Sequence, residues 1–283
     1  MNLKIAILIT CYNRVKTTKE CLKHCFSSLS LIDSFDHDIF LLDDNSPDKT
    51  GEIIKKTYPD INVIYGNGKY FWSGGTRKLW ELASKKKDYD YYVWLNDDSI
   101  LFKNAFSIIY DDIKNKSSSI IVGSFISSNQ NLNELTYGGR DKKLSLLIPS
   151  GKPQECLFIN GNFVFIPREI FKKVGFLSKM FTHNYGDTDY GLRAIKKKFK
   201  IFIASQVVGV CNKNDIELWR KPNTSFFARL KSFYKSKNYN IKEVMYFQLV
   251  HFGLIAVLKN LIGVFIIILY PKVYYKLSKF NLK

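Results

Sequence analysis

The chain opens with an unbroken apolar run, Lys4–Thr10, of the kind that forms a central strand covered on both faces. The run breaks at Cys11-Tyr-Asn-Arg14, and Thr17–Leu29 then carries apolar residues at helical spacing. A second short run, Ile39–Leu42, ends in Asp43-Asp44-Asn45-Ser46-Pro47, and Asp48–Tyr58 returns to a helical pattern. Asn62–Tyr65 predicts a third strand, a glycine-rich turn spans Gly66–Gly75, and a helix is expected from about Arg77 to Lys86. Tyr91–Ser99 follows, an aromatic and β-branched run that stops abruptly at Asn96, Asp97 and Asp98. Strand and helix alternating in this way predict an α/β fold with a doubly wound, mostly parallel sheet. Right-handed crossovers then place Thr10–Arg14, Asp43–Ser46, Gly66–Gly75 and Asn96–Ser99 on one side of it. Ligands of such sheets bind outside the carboxyl ends of the strands.

Two of those strand ends are acidic. Adjacent carboxylates repel one another and are costly to hold together unless a cation or hydrogen-bond donor lies between them. Hard oxygen ligands suit Mg²⁺ or Mn²⁺, which enter with a substrate's phosphates. The plainer alternative is an acidic turn, since Asn-Asp-Asp-Ser is also good turn chemistry. Two acidic ends facing one crevice favour a site.

Composition sharpens this. The 283 residues carry a formal net charge of +18, which favours a polyanionic partner. The surplus is uneven: from residue 216 onward there are 12 lysines and arginines against 2 acidic residues. Five cysteines, odd in number and without a Cys-x-x-Cys pair, read as reduced thiols of a cytosolic compartment. The short apolar start, without a small-residue cleavage site, reads as a first strand and not as a signal peptide.

The motifs together carry a resemblance. Ile7-Leu-Ile-Thr-Cys-Tyr-Asn-Arg14, Leu41-Leu-Asp-Asp-Asn-Ser46 and Leu95-Asn-Asp-Asp-Ser99 resemble the nucleotide-sugar half of a family 2 glycosyltransferase with the GT-A fold. Ile159-Asn-Gly-Asn-Phe-Val-Phe-Ile-Pro-Arg168, Val174-Gly-Phe and Tyr185-Gly-Asp-Thr-Asp-Tyr-Gly-Leu-Arg193 resemble that family's acceptor half, in order and spacing. The likeness covers roughly residues 1–210. Within the family it is most like rhamnosyl- or galactofuranosyl-transferring members.

The resemblance implies roles. Asp44, with Asp43 beside it, reads the nucleotide base, although Asp44 or Ser46 also suits the cap of the helix after Pro47. Thr10, Tyr12 and Arg14 lie under the base and ribose, with Arg14 able to meet the diphosphate. Asn96-x-Asp98 stands at the family's Asp-x-Asp position: Asn96 meets a ribose hydroxyl, Asp98 is the ligand for Mn²⁺ or Mg²⁺, and Asp97 assists. Gly74 and Gly75 let the backbone approach the sugar nucleotide closely. Trp72 either stacks on a sugar or lies inside the protein. Asp187 aligns with the catalytic base, Asp189 is its understudy, and both also suit a helix N-terminus. Asn160, Gly161, Asn162, His183 and Arg193 belong to the acceptor side, and Arg193 either anchors the acid or meets phosphate. Many relatives carry a metal-binding histidine where this chain has Val208-Gly-Val-Cys-Asn-Lys213, with Cys211 and Asn212 instead.

After Lys213 the texture changes, so the chain divides into a transferase domain, residues 1–213, and a basic, aromatic helical region, residues 214–283. Arg229, Lys231, Lys235 and Lys237 interleave with Phe226, Phe227, Phe233, Tyr234 and Tyr239. The uninterrupted apolar stretch Leu261–Tyr270 is about half of what a bilayer span needs. Peripheral or monotopic attachment at the cytoplasmic membrane face is the expectation, with an anionic surface worth about 1 kcal/mol per nearby Lys or Arg. A tilted span beginning near Tyr246 and a helical subdomain packed on the sheet are the alternatives. The expected activity is inverting, metal-assisted transfer from a UDP- or dTDP-linked sugar to a lipid-linked saccharide in surface-polysaccharide assembly. A nucleotidyltransferase is the first rival, yet Cys11-Tyr-Asn-Arg14 is no phosphate loop. A nucleic-acid-binding protein is the second. No nucleic acid is expected, because the acidic strand ends repel phosphate in the absence of a metal.

Overall fold

The computed structural model describes residues 2–128, 134–236 and 239–274; Lys237 of the basic, aromatic stretch lies outside them. The chain divides into two compact units, Met1–Lys213 and Asn214–Lys283.

The first unit begins with β1 (Leu3–Cys11), α1 (Val15–Leu29), β2 (Phe35–Asp43), α2 (Thr50–Thr57) and β3 (Asn62–Tyr65). Next come α3 (Phe71–Lys86), β4 (Tyr91–Leu95), β5 (Ile100–Leu101), α4 (Ala105–Asn115) and β6 (Ser119–Ile126). It continues through β7 (Leu135–Tyr137), β8 (Gln154–Glu155), β9 (Phe163–Pro167), α5 (Arg168–Val174), α6 (Gly186–Lys196) and β10 (Lys200–Val210). The strand order is β3-β2-β1-β4-β9-β6-β10-β5, with β7 on β6 and β8 on β10. β1, β2, β3 and β4 are parallel, as are β6 and β10.

The continuous apolar runs are explained by burial on both faces. Ile5, Ile7 and Ile9 join Cys21, Leu22 and Cys25 of α1 and Phe106 of α4 in one layer. Ala6 and Leu8 join Leu79 and Trp80 of α3 and Tyr190 of α6 in the other. Alternate side chains of one strand thus supply two cores.

The structure departs from the expectation in two places. β9 runs antiparallel between β4 and β6, so the sheet is mixed at its centre. Its five residues are all buried and it pairs with the whole length of β4, which compensates the reversed direction. α3 starts at Phe71, within the stretch read as a glycine-rich turn. Its first N–H groups are taken from outside the helix. The Asp44 carboxylate accepts from the N–H groups of Tyr70 and Phe71, each at 2.9 Å, and the Thr182 carbonyl accepts from Ser73 at 3.0 Å and Gly74 at 3.2 Å. A helix start satisfied in this way tolerates Gly74 and Gly75.

The second unit holds a single 3₁₀ turn (Leu218–Arg220), α7 (Phe226–Lys235), α8 (Ile241–Phe252) and α9 (Leu254–Leu269). Trp219 packs edge-on against Phe233 and Tyr239, with ring centroids 5.3 and 5.1 Å away. Arg229 is buried and donates to the carbonyls of Ile268, Lys221, Pro222 and Thr224, so it is an internal clamp and not a surface charge. The apolar run from Tyr246 onward is divided at Gly253 into α8 and α9. Among the described residues no helix is long and apolar enough to cross a membrane.

Candidate active site

The chain reverses its winding direction at β1: β2 and β3 lie to one side and β4 to the other. Such a switch point opens a crevice at the carboxyl ends of the two strands flanking it. Leu8 pairs with Trp94, so the loop after β1 and the loop after β4 emerge side by side. Arg14 crosses that gap. Its Nη1 donates to Asp97 Oδ1 at 3.1 Å and to Asp98 Oδ2 at 2.9 Å.

The two carboxylates differ. Asp97 is buried, and burial pushes its pKa up to about 7 against the opposing pull of Arg14. Thr18 of α1 also donates to it, at 3.4 Å. Asp98 is partly exposed, and its Oδ1 faces the Cys211 thiol at 3.7 Å. Cys211 in turn accepts from Asn162 Nδ2 at 3.4 Å, and burial pushes the thiol up to about 12. Cys211 stands in the sequence only where a histidine is missing; its position beside Asp98 follows from β5, which pairs antiparallel with the end of β10 so that Ile100 lies opposite Val210. Asn212 does not join it, since its Oδ1 accepts from the N–H and hydroxyl of Ser128, each at 2.9 Å.

Among the described residues no group of three or more His, Cys, Asp and Glu forms a metal cage. The donor set still fits Mg²⁺ or Mn²⁺, because such ions take one or two protein carboxylates and complete their shell with phosphate and water oxygens. Asp98, with Asp97 beside it, offers that pair.

Several residues expected at the nucleotide have structural tasks in the loops that carry them. Asp43 is buried, and its oxygens accept from the N–H groups of Ser46 at 2.9 Å and Gly51 at 2.7 Å. It therefore orders the loop after β2 and starts α2. Asp44 accepts from Gly68 N–H at 2.8 Å besides its two bonds to the start of α3. It serves that helix, not the one after Pro47. The Ser46 hydroxyl also leaves that helix uncapped and accepts from Asn13 N–H at 2.8 Å, joining the loops after β1 and β2. Gly74 and Gly75 lie in the first turns of α3. A Cβ on Gly75 would stand 2.6 Å from Thr10 Cγ2, so this glycine exists for packing of α3 on β1. Thr10 meets that contact, while Tyr12 is exposed.

The acceptor-side motifs converge on Trp72. Its Nε1 donates to Asn96 Oδ1 at 2.6 Å, its ring meets Trp94 edge-on, and a Cβ on Gly161 would stand only 2.3 Å from it. Trp72 is thus partly buried, packed against Gly161. The Gly161 N–H donates to Asp187 Oδ2 at 2.8 Å, and Thr188 N–H donates to Oδ1 at 2.7 Å. Asp187 opens α6, and burial raises its pKa against those two donors. Next to Gly161, Asn160 Oδ1 is a buried acceptor without a hydrogen-bond partner among the described residues. The His183 ring lies 6.1 Å from that of Phe71, and its carbonyl accepts from the Ser73 hydroxyl at 3.0 Å.

Asp189, Arg193 and Asn162 are each engaged within the fold. Asp189 is buried and accepts from Arg193 Nε at 2.8 Å, one helical turn on. Arg193 completes its fork on the carbonyls of Val174 and Phe176, each at 2.9 Å, so it anchors Asp189 and locks α6 to the end of α5. Asn162 is buried, its carbonyl accepts from Asn96 N–H at 3.0 Å, and it ties β4 to Cys211.

Comparison with known proteins agrees with this geometry. The glycosyl transferase family 2 profile matches residues 6–175. No curated protein sequence matches significantly. Among solved structures, a mannosyltransferase from Pyrobaculum calidifontis in complex with GDP-Man and Mn²⁺ superposes with a TM-score of 0.57 at 12% identity, covering 100% of this chain and 85% of its own. Residues 1–349 of S. aureus TarS with UDP-GlcNAc give 0.53 at 11% identity, covering 86% and 70%. At that identity the likeness is one of fold. The chain belongs to glycosyl transferase family 2 and has its GT-A fold.

Proposed function

We propose that this glycosyltransferase moves a sugar, with inversion, from a nucleotide diphosphate sugar to an acceptor hydroxyl. The observation that carries the reading is a chain of contacts from Asp187 through Gly161 and Trp72 to Asn96, whose neighbours Asp97 and Asp98 hold Arg14. One set of side chains thus ties an acid suited to proton abstraction to a cationic, carboxylate-lined crevice suited to a diphosphate. In the neighbouring structures the ligands are GDP-Man with Mn²⁺ and UDP-GlcNAc, which supports a nucleotide-sugar donor here.

Asp187 accepts the proton of the acceptor hydroxyl. The oxygen attacks the anomeric carbon from the face opposite the diphosphate, and the bond from that carbon to phosphate oxygen breaks. A raised pKa makes Asp187 a better base, while Gly161 and Thr188 keep it ionised and oriented. Asn160 Oδ1 accepts from an acceptor hydroxyl, which resolves its unpaired state. Asn96 offers its amide hydrogens to the ribose, while its oxygen accepts from Trp72. Arg14 turns from the carboxylates toward the diphosphate as it enters. Asp98, with Asp97 beside it, would hold Mn²⁺ or Mg²⁺, which when bound would neutralise charge on the departing diphosphate. The donor is UDP- or dTDP-linked and the acceptor a lipid-linked saccharide of surface-polysaccharide assembly; the basic, aromatic C-terminal unit supports that acceptor.

Calorimetric titration of UDP, dTDP, GDP and CDP, with and without Mn²⁺, tests the reading. Metal-dependent binding of a pyrimidine diphosphate, lost in Asp98→Ala, is the expected result. A folded protein that binds none of the four overturns it.

A further inference from the structure

The two last helices of the C-terminal unit carry apolar faces that no described residue of that unit covers. On α9, Leu254, Ile255, Leu258, Ile262, Phe265 and Leu269 are 40–70% exposed. At about 100° per residue they fill one continuous arc about 100° wide. Lys259 sits at the edge of that arc, and buried Val257 lies outside it. α8 repeats the design: Ile241, Met245, Leu249 and Phe252 are exposed along one stripe, while Val244 and Phe247 turn inward. Scattered exposed apolar residues need no account, but a continuous stripe on each of two successive helices marks an interaction face.

The charge around the stripes selects the occupant. From residue 216 onward the surplus is 12 basic residues against 2 acidic ones. Lys231, Lys235, Lys242, Lys259 and Lys272 are exposed, whereas Glu243 is buried. A second copy would bring the same positive charge to the face and be repelled. A soluble polyanion would meet the lysines and leave the apolar arc in water. An anionic bilayer surface satisfies both, with acyl chains under the arc and headgroups at its lysine borders. Exposed Tyr234 and Tyr270 are the amphipathic aromatics that favour the headgroup level, and exposed Phe227 adds a further apolar ring. No described helix is long and apolar enough to cross, so the helices lie in the interface.

We propose that the exposed faces of α8 and α9 seat this protein on an anionic membrane surface. The proposal stands on exposure and charge and holds or fails independently of the transfer reaction.

Co-sedimentation of the full chain with phosphatidylcholine vesicles, with and without phosphatidylglycerol, is the test. The wild type is expected to partition onto the anionic vesicles and to be released by salt, and L258E/I262E is expected to lose about tenfold or more of that partitioning. Ile262→Trp keeps the face apolar and is expected to add blue-shifted emission on anionic vesicles. Circular dichroism checks each fold; if L258E/I262E does not fold, the emission of I262W decides. Wild type that stays in solution, equal binding by the double variant, or an I262W emission unmoved by vesicles overturns the proposal. A wild-type dimer that L258E/I262E dissociates, without vesicle binding, overturns it in favour of a second copy.

Discussion

The Arg14 guanidinium donates to Asp98 Oδ2 at 2.9 Å although the two residues stand 84 positions apart. They meet because β1 and β4 are neighbours at the switch of winding direction, and because each loop turns out at the carboxyl end of its strand. The same guanidinium reaches Asp97, so one cation serves two carboxylates. Arg14→Ala leaves the buried Asp97 without it. Stability is expected to fall by about 1–2 kcal/mol, discounted because Arg14 is half exposed. Arg14→Lys is expected to recover part of that in thermal unfolding and less of the diphosphate affinity, since a lysine lacks the planar fork.

Asp187 is the side chain whose loss separates chemistry from binding. Asp187→Asn keeps an acceptor for Gly161 N–H and removes the base. Its kcat is expected to drop about 10²–10⁴-fold, with nucleotide diphosphate affinity unchanged by calorimetry. In the wild type, kcat/KM is expected to rise with pH through a value above the ordinary carboxylate range, because burial raises this acid.

Gly161 has no room for a methyl group beneath the Trp72 ring. Gly161→Ala forces Trp72 off Asn96 and shifts the N–H that orients Asp187. A displacement of that kind costs activity on the order of 10²-fold. Steady-state kinetics beside a melting curve separates this loss from unfolding.

Asp112 of α4 is buried, and its Oδ2 accepts from Ser205 N–H at 2.8 Å. Desolvation raises its pKa, so the folded state binds this proton more tightly than the unfolded chain. The stability it contributes is full below the unfolded carboxylate value, about 4, and is lost as pH rises through the raised value. Asp112→Asn removes the titrating group and keeps an acceptor oxygen, provided the amide oxygen takes the Ser205 bond. Its melting temperature, relative to wild type, is expected to climb across that window.

The sequence by itself determined the α/β alternation, the strands with two apolar faces and the acidic ends at Asp43-Asp44 and Asn96–Asp98. These are local: an apolar run of strand length stopped by polar turn residues leaves few conformations open. Tertiary structure decided what each polar group does. Asp43 and Asp44 look alike along the chain, yet one starts α2 and the other α3, because only the folded loops bring backbone N–H groups to them. Asp187 and Asp189 are two residues apart on α6; one is met by Gly161 and the other by Arg193. Helix periodicity points such neighbours in different directions: Asp189 finds Arg193 one turn along the same helix, whereas Asp187 finds Gly161, which a distant part of the chain brings to it. Spacing along a chain fixes which residues can share a face, and packing fixes which of them find a hydrogen bond already made.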